Sequence, residues 1–200
     1  MKTLSTPTAL ALALALLTSC TSVSTGPLAL PLQERLRNPL VAERYWAEMA
    51  EHMADFARRD DVIAKDPVKA TIIEAERTRA LQRVAQARTV KKEGTSGMML
   101  AIHPFEDAEG EVLLRSTTLF FGTTFLTAPN PSVSVLLTTV VDPRDVRFPD
   151  KTSVNLGELQ TAYGAQQYEI PDGKGNGNFR TAVLYDTRLD RVVGFAQLSK

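Results

Sequence analysis

From Gly97 to the end, the chain is written in short runs rich in Val, Leu, Phe and Thr, cut apart by DAEG, APNPS, DPRDVRFPDK and PDGKGNGN. The Asp, Asn, Pro and Gly in those interruptions supply the backbone angles that tight turns need, and β-branched and aromatic residues favour extended chain. Strands are therefore predicted at about 98–102, 111–117, 119–125, 133–141, 168–170, 182–185 and 191–197. Parallel strands require a long crossover between them, usually a helix, and no helical pattern interrupts this region. The expected architecture is an antiparallel β-sandwich over 95–200, not a doubly wound sheet.

The preceding stretch is written with a different period. Asn38-Pro39 is a helix start, because an Asn side chain can accept a free amide and Pro suits the first turn. Tyr45, Trp46, Met49, Met53, Phe56 and Ala57 then recur every three or four residues, which predicts an amphipathic helix over 39–58. Asp66-Pro67 repeats the start signal. Val68, Ile72, Ile73, Ala80, Leu81 and Val84 continue the period until Lys91, Lys92 and Gly94 end it. The connection RDDVIAKD is short, so residues 38–94 read as an antiparallel helical hairpin. Two helices bury little by themselves, and the expected partner for their apolar faces is the sandwich. The fold class expected is α+β.

At the other end of the chain, Lys2 precedes the apolar run 9–17, which is followed by Thr18, Ser19 and Cys20. Such a run is about 14 Å long as a helix, roughly half a bilayer, and so fits a signal peptide better than a membrane span. Leu17-Thr18-Ser19-Cys20 resembles the bacterial lipobox, in which the cysteine is lipidated and becomes the first residue after cleavage at 1–19. The alternative is an ordinary secretory signal with an unrelated cysteine. The resemblance implies an acylated Cys20, a tether over 20–37, and a cell-envelope location anchored in a membrane. Thr21, where Asp would resemble an inner-membrane retention signal, points to the outer membrane in a cell with two membranes. Several acyl chains hold far more firmly than one, at about 0.8 kcal/mol per buried methylene.

The last hundred residues carry a second resemblance. Phe125-Leu126-Thr127, Pro131, Val133, Val135 and Leu137 are followed by Leu156-Gly157-Glu158-Leu159, Gly164, Gln167, Tyr168, Ile170 and Pro171. Val183, Leu184, Tyr185, Gly194, Ala196 and Leu198 complete the set. In order and spacing these blocks resemble the DM-thirteen domain, also called the electron-transfer DM domain, a small β-sandwich related in outline to DOMON domains. Asn130 and Ser132 depart from the usual Gly and Asp of that pattern. After the tyrosine of the last block the family commonly has a cysteine proposed as a redox centre, and this chain has Asp186. With Cys20 the one cysteine and assigned to lipid, no thiol is left for redox work. Asp186 reads as a solvated strand-end or turn residue. Gly157 and Gly164 suit positive φ, Gly194 suits a close approach inside a strand, and Tyr168 and Tyr185 read as core aromatics.

Other residues bear on chemistry. Met49, His52 and Met53 lie about one helical turn apart and form a soft-ligand trio for a copper ion, to which Met98, Met99 and His103 could add. A methionine stripe beside Trp46 and Phe56 is more simply helix packing. His103 with Glu106 and Asp107 is a weak hard-metal candidate, more simply an exposed turn. DGKGNGN leads into a strand, so it reads as a mobile hairpin and not a phosphate cradle. No nucleophile-elbow, zinc-protease or β-lactamase signature is found in a suitable context. The 23 basic and 23 acidic side chains cancel, so nothing attracts nucleic acid. The expectation is a non-catalytic, cofactor-free binding domain on a lipid anchor, with an envelope protein or small ligand as partner. The alternative is redox or metal handling.

Overall fold

The computed structural model describes residues 30–59, 62–174 and 177–200. The signal segment, Leu17, Thr18, Ser19 and Cys20 lie outside the described residues. After a short turn of helix, α1 (Leu32–Arg35), comes α2 (Pro39–Arg58). Its start is as expected: the Asn38 side chain accepts the Leu40 amide at 3.0 Å, and its Nδ2 donates to the Phe121 carbonyl at 2.8 Å. One short side chain thus both caps the helix and ties it to the sandwich. The tip carries α3 (Val62–Lys65), and α4 (Pro67–Lys92) returns, capped by Asp66, which accepts the Val68 and Lys69 amides.

The two long helices pack on each other. The buried positions of α4, Ile73, Ala80, Val84 and Ala87, recur at spacings that keep one seam facing α2, and the alanines allow close approach. The expectation that the sandwich would cover the hairpin is corrected here. Leu40 at the start of α2 closes over Leu113 and Phe120, and the last turn of α4 reaches the first strand, but Ala47 already lies beside Thr123 and Thr124 at the rim. The rest of α2 runs on past that rim. Val68, Ile72 and Leu81 of α4, expected to face inward, are exposed because they lie off the seam.

Nine strands form two antiparallel sheets among the described residues. They are β1 (Thr95–Met98), β2 (Leu100–Ala101), β3 (Glu111–Arg115), β4 (Thr118–Phe121), β5 (Val133–Thr138), β6 (Val154–Glu158), β7 (Gln166–Glu169), β8 (Thr181–Asp186) and β9 (Arg191–Gln197). One sheet runs β1-β3-β4-β7 and the other β2-β9-β8-β5-β6. Val112, Leu119 and Phe121 from the first meet Val135, Leu137, Ala182, Leu184 and Val193 from the second in one core.

Two strand expectations needed correction. The run 98–102 is not one strand: buried Met99 plugs the core while exposed Met98 and Leu100 belong to different sheets, so the chain changes sheet at that residue. β6 was missing from the expectation because Gly157 and its polar neighbours look like loop; it is an edge strand with a bulge opposite Val135/Leu136. Gly157 and Gly164 have φ of +120° and +81°, as expected. Gly194 has extended backbone but no room: a Cβ there would stand 2.6 Å from the Ala108 Cβ and 2.9 Å from the Leu100 carbonyl oxygen.

Candidate functional site

One end of the sandwich gathers the loops at 103–110, 122–132, 159–165 and 187–190, since β4, β5 and β6, β7 and β8, β9 all begin or end there. The overhanging hairpin and the chain entering at Leu30 lie at this end as well, for Leu30 shares a groove with Gln160 and Gln166. Backbone bonds stitch the loops together. Thr127 donates to Ala162 at 3.0 Å, Gly164 to Phe125 at 2.7 Å, Leu159 to Val133 at 2.8 Å and Thr187 to Ser132 at 2.9 Å.

Beneath them Phe121 packs edge-on to Phe125 at 4.6 Å and to Tyr168 at 5.8 Å. The Tyr168 hydroxyl donates to Gln166 at 2.7 Å and accepts the Gln160 amide at 2.9 Å, so a core aromatic also fixes the 159–165 loop. Burial of this phenol raises its pKa to about 12, against a smaller lowering by the Gln160 amide, and it stays neutral. Tyr185 is buried on the outer face of the other sheet beside Phe148 and donates to Asp190. Burial, then Asp190, raises it to about 12 as well.

The loops line an open cleft of about 500 Å³ whose walls include Pro131, Ser132, Glu158, Gln160 and Arg188. That volume lies within the range of small-molecule sites. Beside it stands a buried ionic network. Glu106 is 1% exposed and is paired with Arg191; Asn130 donates to the same carboxylate at 3.1 Å and accepts from Arg191 at 2.9 Å. Asn130 is one of the departures from the resemblance, and its amide braces the direct pair by bonding to both partners.

Asp186 is corrected from a solvated residue to a fully buried one. Its Oδ1 accepts the amides of Arg188 at 2.9 Å and Leu189 at 3.0 Å, closing the β8–β9 turn, while its Oδ2 is buried with no partner among the described residues. An unpartnered buried polar atom costs about 1–3 kcal/mol, so the turn geometry it secures is held at some expense.

The remaining candidates disperse. Met49 and Met53 are half-buried along α2, while His52 is exposed and lies edge-on to Phe56 at 4.7 Å. Met98 and Met99 are on the sandwich, one exposed and one buried. His103 stacks on exposed Phe105 at 5.4 Å, and Glu106 turns from it into the Arg191 network, so the His103, Glu106 and Asp107 set does not assemble. Among the described residues no group of three or more His, Cys, Asp and Glu is placed to hold a metal ion. Pro131 lies on the cleft wall; Leu156 packs on the core from β6, and Pro171 is exposed. Reading the sequence had missed Glu158, Arg188 and Arg191 as site residues. Glu158 stands inside the Leu156–Leu159 block of the resemblance without its charge being singled out, and nothing local marks Arg188 and Arg191, each a charge in or beside a turn.

These features define a class: a small antiparallel β-sandwich with a loop-lined cleft at one end, preceded by a helical hairpin. Residues 103–198 match the family described as Electron transfer DM13, and this part of the chain is a DM13 domain. No curated protein and no solved structure matches the chain.

Proposed function

We propose that this is a cell-envelope lipoprotein, anchored through Cys20, whose DM13 domain binds a partner at the loop end without catalysing a reaction. The observation that carries the binding part is the cleft of about 500 Å³ walled by stitched loops at the end where chain and hairpin converge. The anchoring part rests on the lipobox resemblance of Leu17 to Cys20. No helix among the described residues is long and apolar enough to cross a membrane. Ten residue steps separate Cys20 from Leu30, a reach of at most about 35 Å, so lipid at Cys20 would keep the loop end near the bilayer surface. The partner is an envelope protein or a small ligand, not a nucleic acid.

Two experiments test the reading. Replacing Cys20 with Ser should move the protein from the detergent phase to the aqueous phase or leave the precursor uncleaved; unchanged partitioning defeats the anchor. Pull-down from envelope extract should recover a partner that is lost when 128–132 or 159–162 is altered. Loss on altering 142–151 or 172–178 instead would move the site to the opposite end.

The second reading is electron transfer, with which the family is associated by its description. Against a thiol-based version stands Asp186, a carboxylate that cannot pass through thiol oxidation states, where the resemblance implies a cysteine. Visible absorption and metal analysis of the purified protein decide this: a stoichiometric metal or haem band favours the redox reading, and a colourless, metal-free protein the binding one.

A further inference from the structure

The polar groups around the loop-end cleft are mostly committed to one another. Asn130 serves Glu106 and Arg191, the Ser132 hydroxyl meets that of Thr187 at 2.8 Å, and the Gln160 amide nitrogen donates to Gln167 at 3.0 Å. Two charged side chains of opposite sign line the same cleft, Arg188 and Glu158; both are exposed at its mouth, and neither side chain has an ion-pair or hydrogen-bond partner among the described residues. Charges left unpaired on facing loops of one cleft are available to the complementary charges of a ligand.

The backbone that carries each is fixed. Arg188 sits on the turn whose amides are held by buried Asp186, and Thr187, between the two, is pinned to Ser132 through its amide and its hydroxyl. Glu158 ends β6 just after the bulge in which the Asn155 side chain accepts the Gly157 amide at 2.8 Å, a device that re-aims the following side chains.

We infer that the cleft takes a zwitterion of amino-acid or dipeptide size, its carboxylate on Arg188 and its ammonium on Glu158, with Asp186 as the positioning residue for Arg188. This rests on the loop-end binding reading above and names its ligand class.

The test is nuclear magnetic resonance titration of the full chain in detergent with four probes: alanyl-alanine, its amide, its N-acetyl derivative and the doubly capped form. Alanyl-alanine should shift the amides of 128–133, 158–162 and 187–189, and capping either end should weaken binding about tenfold, the equivalent of one charge-assisted contact. Arg188→Met, on an exposed turn, should erase the preference for acid over amide and leave that for amine over N-acetyl; Glu158→Gln should do the reverse. Asp186→Ala should lose the acid preference and Asp186→Asn, which keeps an acceptor for the turn, should restore it. Equal binding of all four probes at these loops overturns the zwitterion while leaving the binding end intact. Shifts confined to other residues overturn both, and no shift with any probe overturns the ligand class, with the pull-down deciding the binding end separately.

Discussion

Replacing Arg191 with Met removes the cation paired with a carboxylate that is 1% exposed and leaves Glu106, among the described residues, with Asn130 as its side-chain donor. Stripping one partner from a fully buried ion pair costs about 3–5 kcal/mol, because the surviving charge is left in a poor solvent. Arg191 is itself 31% exposed, so water can reach part of the vacated space, and the Asn130 bond survives. The expected loss is therefore about 2–3 kcal/mol. Glu106→Gln should cost less, about 1 kcal/mol, since the amide still offers Arg191 an acceptor and the stranded guanidinium can turn toward water. With a urea dependence of about 2 kcal/mol per molar, Arg191→Met should lower the midpoint by about 1–1.5 M, and Glu106→Gln by about 0.5 M. Circular dichroism of urea-induced unfolding reads both, and the double variant should cost less than the two single losses added, by about 1 kcal/mol or more. Additivity within about 0.5 kcal/mol, or a larger loss for Glu106→Gln than for Arg191→Met, refutes the reasoning that buried Glu106 depends on Arg191 for its compensation.

Asn38→Ala removes a helix cap and a buried bond to Phe121 at once, so it should cost about 2 kcal/mol and speed amide hydrogen exchange along α2 more than in the sandwich. Burial works to raise the Asp150 carboxyl, but hydrogen bonds from Ser153, Thr152 and Thr138 outweigh it and hold the pKa at about 2. Because the folded value lies below the unfolded 3.8, the stabilisation is present above about pH 4 and is lost as pH falls through 2. Discounted for partial exposure it amounts to about 1 kcal/mol, and Asp150→Asn should flatten the stability–pH profile between those limits by that much. Gly194→Ala must push the new methyl against Ala108 and the Leu100 carbonyl and should lower the urea midpoint by about 1 M, equivalent to about 2 kcal/mol. A thiol placed at buried position 186, Asp186→Cys in a Cys20→Ser background, should resist Ellman's reagent in the native protein and react on unfolding; fast native reaction would contradict the burial of this site.

The helix limits and most strands were legible because their signals are local. Asn38-Pro39 and Asp66-Pro67 mark starts through bonds made within three residues, and Gly157 and Gly164 announce positive φ by lacking a Cβ. β6 escaped because an edge strand needs neither alternating apolar faces nor β-branched residues, and Asn155 and Gly157 at its bulge read as turn chemistry. The resemblance pointed to Pro131, Tyr168 and Asp186 near the loop end, but the environment of each came from packing. Asp186 looked solvated by its chemistry and by the turn that follows it. It is buried because the β8–β9 pairing draws the strand end into the core, where two turn amides offset part of the cost of desolvation.

What the sequence determined by itself was the helical hairpin followed by most of the strands, the α+β class, the helix caps and the family pattern of 103–198, all set by sterics and hydrogen bonds acting over a few residues. Only the tertiary structure decided that the hairpin overhangs the sandwich, that Glu106 meets Arg191 across 85 positions, and that Glu158 and Arg188 share one cleft. The physical reason is that a charge carries no periodicity. Its partner is chosen by which loops the sheet register brings to the same end, and that register is set by the burial of Val135, Leu184 and Val193, not by the charges themselves.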